Sequence, residues 1–155
     1  MSKLVNFQIN QKDVLLQVKL RAYYHGEALK DDKMMELASK MQANDDNDDV
    51  LAKFVINAGG KLIDVLSPVC IDAKVEVTGS SGAEIYIFSL TMTEGYADSQ
   101  TNIIKDSSFD YMVNWTIYEW LSLMFPSSAK SFFDKCLLAE GDIRRRINKR
   151  LKPSR

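Results

Sequence analysis

Residues 49–66 read DVLAKFVINAGGKLIDVL, and their apolar side chains recur at steps of three and four positions. This spacing predicts a helix with one apolar stripe that is buried against the rest of the chain. Gly59 and Gly60 interrupt the stripe, so either another backbone approaches closely here or the helix bends. Pro68 ends the pattern. The stripe consists of Leu51, Phe54, Val55, Ala58, Leu62, Val65 and Leu66.

Two helices are predicted before this one. Residues 3–9 alternate between apolar and other side chains, which indicates a short extended segment. Asn10 can then cap a helix over about residues 11–29, whose apolar positions again form one stripe. Residues 33–41 are predicted to form a further helix, and the acidic run 44–49 supplies a loop and caps for the helix that follows.

A β-hairpin is predicted after Pro68. Residues 74–78 and 85–90 have the alternating pattern of strands, and the four residues 79–82, Gly-Ser-Ser-Gly, fit the turn between them. The second strand is apolar on both faces. Each face is therefore expected to be covered, either by a helix of the same domain or by a neighbouring chain.

Two helices are predicted in the last third of the chain. Residues 93–107 are expected to be a loop because they are rich in Thr, Ser, Asp and Gly. Ser107 or Ser108 can cap a helix that ends before Pro126, and residues 127–128 can open a final helix that closes before Pro153.

The expected fold is mainly α, a helical bundle with an inserted β-hairpin and a basic C-terminal helix and tail. At 155 residues and 46% apolar content, the chain is long enough for one domain with a real core. The single domain 1–155 is expected to comprise N-terminal helices to about residue 70, the hairpin at 72–92, C-terminal helices at 108–151 and a basic tail at 152–155.

Two general features bear on where the protein works. No apolar run approaches the roughly 20 residues needed to span a bilayer, and no signal-peptide pattern opens the chain, so no membrane association is expected. Cys70 and Cys136 stand far apart in apolar surroundings, which favours buried free thiols and a reducing compartment.

Charge is segregated along the chain. Residues 144–155 hold seven basic side chains and no acidic one, which leaves 13 basic against 21 acidic residues in 1–143, a net charge of −8. An acidic body with a basic end suggests docking onto an acidic partner. The simpler alternative is a solvated helix end, where cations complement the helix dipole.

The chain shows no pattern of catalytic or metal-binding residues. A single histidine, His25, cannot build a zinc site or a Ser-His-Asp triad. The acidic run fails as an EF-hand, because Val50 and Ile56 stand where Gly and Glu are required. We therefore expect no enzyme, no metal and no cofactor, and a small-molecule pocket beside the fourth helix is the weakest hypothesis.

The predicted fourth helix is dense in aromatic residues. Tyr111, Trp115, Tyr118 and Trp120 are spread around it among Ile, Leu and Met. Stacking on nucleic-acid bases is one use of such rings, but a helix that is apolar nearly all round favours burial, within this chain or in an oligomer.

The order of these patterns resembles the head–tail connector, or adaptor, proteins of tailed bacteriophages, particularly phages of Bacteroidetes-type gut hosts. The resemblance covers most of the chain. The segments that carry it are Ile9-Asn10-Gln11-Lys12-Asp13-Val14, the acidic run leading into residues 51–58, Tyr118-Glu119-Trp120-Leu121, Pro126-Ser127-Ser128-Ala129, residues 143–150 and Lys152-Pro153-Ser154-Arg155.

The resemblance implies a virion structural protein that is made in the host bacterial cytoplasm and located at the head–tail junction. Such connectors form a homo-oligomeric ring of about twelve copies below the portal. The ring extends the DNA channel, through which DNA passes without sequence-specific binding, and presents a surface to tail or further ring proteins.

The resemblance also suggests which residues make contact. The C-terminal segment of such connectors often inserts against the portal, so the expected portal or partner contacts are Arg144, Arg145, Arg146, Lys149, Arg150, Lys152 and Arg155. The expected inter-subunit contacts lie in the hairpin at Val75, Val77, Ile85, Tyr86, Ile87 and Phe88. The alternative function is a small nucleic-acid-binding regulator that uses the same basic helix.

Overall fold

The computed structural model of the chain describes residues 2–28, 47–80 and 82–149. The structure does not describe the helix predicted over residues 33–41, residues 44–46 of the acidic run, or the basic residues Arg150, Lys152 and Arg155. The described residues form a mainly α fold with a small antiparallel sheet. Its elements are β1 (Lys3–Asn10), α1 (Gln11–Ala28), α2 (Asp48–Leu66), β2 (Asp72–Thr78), β3 (Ile85–Met92), a 3-10 turn (Asp98–Gln100), α3 (Thr101–Met124) and α4 (Pro126–Ile147).

The predicted hairpin is confirmed as β2 and β3. Its turn contains Gly79 and Gly82, whose φ angles of 96° and 86° favour glycine because it lacks a Cβ. The segment 3–9, predicted only to be extended, is a third strand that pairs with β3 along its whole length. The strand order β1-β3-β2 therefore places β3 in the middle of the sheet.

One face of the sheet carries the core. Phe7 of β1 lies opposite Phe88 of β3, and their rings stack with centroids 5.1 Å apart. Alternate residues of β3, from Tyr86 to Met92, are buried against the helices, while the residues between them are half-buried. Among the described residues, the face of β3 that points to the helices is covered and the other face is only half-buried. The prediction that both faces are covered therefore holds for one of the two.

The glycine pair in α2 allows a close approach on one side only. A Cβ added at Gly59 would lie 3.4 Å from two ring carbons of Tyr86, whereas one added at Gly60 would meet nothing within 4 Å. The sequence suggested that another backbone approaches here or that the helix bends, but the close neighbour at Gly59 is a side chain, the Tyr86 ring of β3.

The start of α3 differs from the prediction. The helix begins at Thr101, directly after the 3-10 turn, so Ser107 and Ser108 lie inside it and do not cap it. The composition of residues 93–107 suggested a loop, but Ile104 is 1% exposed and adds a buried apolar contact within this segment. Tertiary packing here overrides a weak local propensity.

The last helix also differs from the prediction at both ends. It begins at Pro126, where the fixed φ of proline suits the first helical position, and not at residues 127–128. It ends at Ile147 with Asn148 as its C-cap, several residues before the predicted end near Pro153. Within the described ranges, no helix is long and apolar enough to cross a membrane.

Candidate partner-binding site at the basic end of the last helix

The basic residues at the end of α4 lie beside the beginning of α3. Arg146 Nη1 donates a hydrogen bond to Gln100 Oε1, at 3.3 Å, just before α3 begins. Asp98, in the same 3-10 turn, forms an ion pair with Lys3 at the start of β1. The end of α4, the start of α3 and the start of β1 therefore meet at one end of the fold.

Asp142 organises this basic end. It accepts a hydrogen bond from Ser107 Oγ and pairs with Arg145, both at 2.5 Å, and Arg146 Nε lies 3.5 Å from it. The hydrogen bond from Ser107 and, more weakly, Arg145 and Arg146 hold the pKa of Asp142 below its usual value, against an opposing effect of burial. Asp142 is therefore an anionic centre that fixes two of the predicted contact residues.

The predicted contact residues are not equivalent. Arg146 is half-buried and held by Gln100 and Asp142, which gives it a role inside the fold. Arg144 is 48% exposed and pairs with Glu140, and Arg145 is 71% exposed. Arg144, Arg145 and the exposed Lys149 are thus the cations that the described part of this end presents to a partner.

Nearby acids reduce the charge of this end. Four cations, at 144, 145, 146 and 149, face the carboxylates of Glu140 and Asp142, which leaves a local charge of +2 among these six residues. The three consecutive arginines form ion pairs with acids about one helix turn away, which is a structural reason for their presence. The run of arginines therefore does not imply three partner contacts. The surplus positive charge consists of one charge from the three arginines, the charge of Lys149, and the charges of the basic residues beyond it.

The residues predicted to contact a neighbouring subunit lie on opposite faces of the sheet. Tyr86 and Phe88 are 1% and 0% exposed because they lie in the protein's own core. Their side chains are therefore not available for the predicted contact with a neighbouring subunit. Val75 and Val77 lie opposite them in β2 and share their face, with Val77 the more exposed. The outer face carries Ile85 and Ile87, both half-buried.

Cys70 and Cys136 are free, as predicted, but only Cys136 is buried, whereas Cys70 is half-buried. Burial raises their pKa values to about 11 for Cys70 and about 12 for Cys136, so both remain protonated thiols at neutral pH. Over residues 2–28, 47–80 and 82–149, no three His, Cys, Asp or Glu side chains are grouped closely enough to hold a metal.

Half-buried aromatic residues form a cluster at the surface, whereas the sequence favoured burial of all four aromatics of this helix, within this chain or in an oligomer. Tyr111 and Trp120 are buried, but Trp115 and Tyr118 reach the surface beside Phe133 of α4. The Trp115–Tyr118 and Tyr118–Phe133 ring centroids are 5.3 and 5.2 Å apart. The only signal for this in the sequence was that the helix is apolar nearly all round.

Comparisons with known proteins identified no relative: no family model, no curated protein and no solved structure matches the chain.

Proposed function

We propose that this protein is a head–tail connector of a tailed bacteriophage, a structural protein that forms a ring between the portal and the tail around the DNA channel. The observation that carries the proposal is the segregation of charge: a body of net charge −8 in residues 1–143 and a basic segment that begins at the end of α4. The resemblance of the sequence patterns to those of connector proteins supports the same function.

The polarity suits a ring of identical subunits. In a head-to-tail ring each subunit offers two different surfaces to its neighbours, so unlike charges at the two surfaces attract at every repeated contact. An acidic body also suits a channel through which DNA must slide, because tight DNA contacts come from basic groups that neutralise phosphates.

The proposed portal contact is made by Arg144, Arg145 and Lys149, together with the basic residues that follow. These three are the exposed cations of the described basic end, and they project from the end of a helix that is anchored to α3 through Asp142 and Arg146. Anchoring holds the helix end in one position, which lowers the entropy lost when a partner binds.

The experiment is co-sedimentation of the protein from its native phage source, with the proteins in each fraction identified. The connector function requires recovery in a large particle that contains a portal-like protein in fixed stoichiometry. Replacing Arg144, Arg145 and Lys149 with Ser should release the protein from that particle. The matched control replaces Lys12, Lys53 and Lys130, which are exposed elsewhere on the helices, and should leave it bound.

The alternative function, a nucleic-acid-binding regulator, gives a different result in the same experiment. A small species that binds DNA, with an affinity that falls steeply as salt rises, would replace the connector proposal. The ion pairs of Glu140 and Asp142 with the arginines count against the regulator, because these carboxylates compete with phosphates for the same cations.

A further inference from the structure

The aromatic cluster of Trp115, Tyr118 and Phe133 lies in a surface crossed by three helices. Trp115 and Tyr118 belong to α3, Phe133 to α4, and Lys61 of α2 lies over the Trp115 ring with its ammonium 5.8 Å from the centroid. Apolar neighbours extend the surface on two sides: Ile56 of α2 is 56% exposed and Leu137 of α4 is 49% exposed. We call this surface the Trp115 surface.

Acidic residues of α2 and α3 lie beside the Trp115 ring. Glu119 of α3 accepts hydrogen bonds from Trp115 Nε1 at 2.6 Å and from Asn57 Nδ2 at 3.3 Å. Asp64 of α2 lines the same surface hollow as Lys61 and Glu119, and the exposed Ile56 also borders it.

The chemistry of this surface selects a cationic, partly apolar occupant. An indole face attracts cations, and carboxylates at its edge pair with guanidinium or ammonium groups. Lys61 shows that the ring already attracts a cation of its own chain. The residues beyond α4 have matching chemistry: residues 148–155, NKRLKPSR, carry four cations, no acid, and one leucine.

The direction of α4 favours a second copy over the same chain. From Phe133 to Ile147, α4 extends about 21 Å at 1.5 Å per residue, so the chain leaves the helix heading away from the Trp115 surface of its own copy. To reach that surface, its own basic segment has to reverse direction along α4. A neighbouring copy that places its α4 end near this surface needs no such reversal.

We propose that the Trp115 surface binds the basic segment, residues 148–155, of an adjacent copy of this protein. This inference rests on the proposed connector function and names the contact that would join successive subunits of the ring. It also narrows the proposed portal contact to Arg144, Arg145 and Lys149, and assigns Arg150, Lys152 and Arg155 to the neighbouring subunit.

The test uses the full-length protein with Arg150, Lys152 and Arg155 replaced by Ser, so that no copy offers its own segment. A synthetic peptide of residues 148–155 is titrated into it, and the heat of binding is measured by calorimetry at low ionic strength. We expect saturable binding to one site per chain. Adding Asp64→Asn and Glu119→Gln should weaken the affinity roughly five- to tenfold.

Two matched controls make the result specific to this surface. Glu76→Gln removes an acid from the exposed β2 strand and should leave the affinity unchanged. Lys61→Ser removes the ammonium that lies over the Trp115 ring and should strengthen binding of the peptide. Lys53→Ser, at an exposed position of the same helix, should have a smaller effect on that affinity.

Absence of saturable binding overturns the proposal, and so does an equal loss of affinity for Glu76→Gln and for the Asp64 and Glu119 changes. The outcome is separate from the test of the connector function. Portal association depends on Arg144, Arg145 and Lys149, so the protein can remain on the particle while the peptide fails to bind, or the reverse.

Discussion

Ser107 Oγ of α3 donates a hydrogen bond to Asp142 Oδ2 of α4 and links two helices at positions 35 residues apart. The same carboxylate holds Arg145 and Arg146, so one interhelical bond positions the basic end of the fold. This bond converts Ser107, which the sequence suggested as a helix cap, into part of the support for the proposed partner-binding site.

Replacing Ser107 with Ala should lower the free energy of unfolding by about 1–2 kcal/mol at neutral pH, since the hydrogen bond is to a charged group. The measurement is urea unfolding followed by circular dichroism. Ser131→Ala is the matched control, because the Ser131 hydroxyl only contacts the Ser128 carbonyl on the exposed side of α4. An equal loss in both variants would show that the Ser107–Asp142 bond has no special role.

The same variant should also alter the acid sensitivity of the fold. The pKa of folded Asp142 lies below its ordinary 3.8, so its ionised form stabilises the protein above that value and this contribution is lost as the pH falls through the lower, folded pKa. The stability of Ser107→Ala should fall less between pH 4 and the acid limit than that of the natural chain. Parallel pH profiles would contradict this assignment.

His25 should make stability depend on pH in a higher range. Burial and, less strongly, Lys135 lower the His25 pKa from its ordinary 6.5, and its ring packs edge-on against Phe132 at 5.1 Å. As the pH falls through 6.5 the unfolded chain takes up the proton first, so stability should decrease until the pH is below the folded pKa. Because the chain has one histidine, His25→Phe should flatten the profile between pH 7 and 5.

The two glycines of α2 should respond differently to alanine. Gly60→Ala meets open space and should stabilise the protein by roughly 0.5–1 kcal/mol through helix propensity. Gly59→Ala gains the same propensity but brings its methyl group to 3.4 Å from the Tyr86 ring, so it should be the less stable of the two. Thermal unfolding of the pair measures this difference, and equal stabilities would show that the ring adapts freely.

Tyr86 should contribute through its hydroxyl as well as its ring. The hydroxyl donates to Gln11 Oε1 at 3.1 Å, and Gln11 is 1% exposed. Tyr86→Phe leaves that amide buried without this donor and should cost about 1–3 kcal/mol. Adding Gln11→Met removes the stranded polar group and should recover part of the loss in a double-mutant cycle. An additive cycle would contradict the coupling.

Several features of the fold followed from the sequence alone because they depend on neighbours along the chain. The apolar stripe at residues 51–66 is close to the observed α2, and the hairpin follows from two alternating segments joined by a glycine-rich turn. The start of α1 after Asn10 and the end of α3 before Pro126 were also predicted correctly. Local spacing and backbone restrictions are sufficient for each of these.

The candidate site depended on contacts that no local pattern contains. The sequence identifies seven basic residues, but only the packing of α3 against α4 brings Ser107 to Asp142 and Gln100 to Arg146. Those contacts distinguish Arg146, held within the fold, from the exposed Arg145. A run of charges predicts a charged segment; the ion pairs within it depend on side-chain direction and on a second helix.

The sequence by itself determined the mainly α class, the hairpin and the separation of an acidic body from a basic end, because composition and periodicity are properties of the chain. Only the tertiary structure decided that residues 3–10 complete the sheet beside β3, that α3 begins at Thr101, and that Trp115 reaches the surface. Strand pairing and burial join residues far apart in sequence, and their free energy is gained only when the whole core assembles.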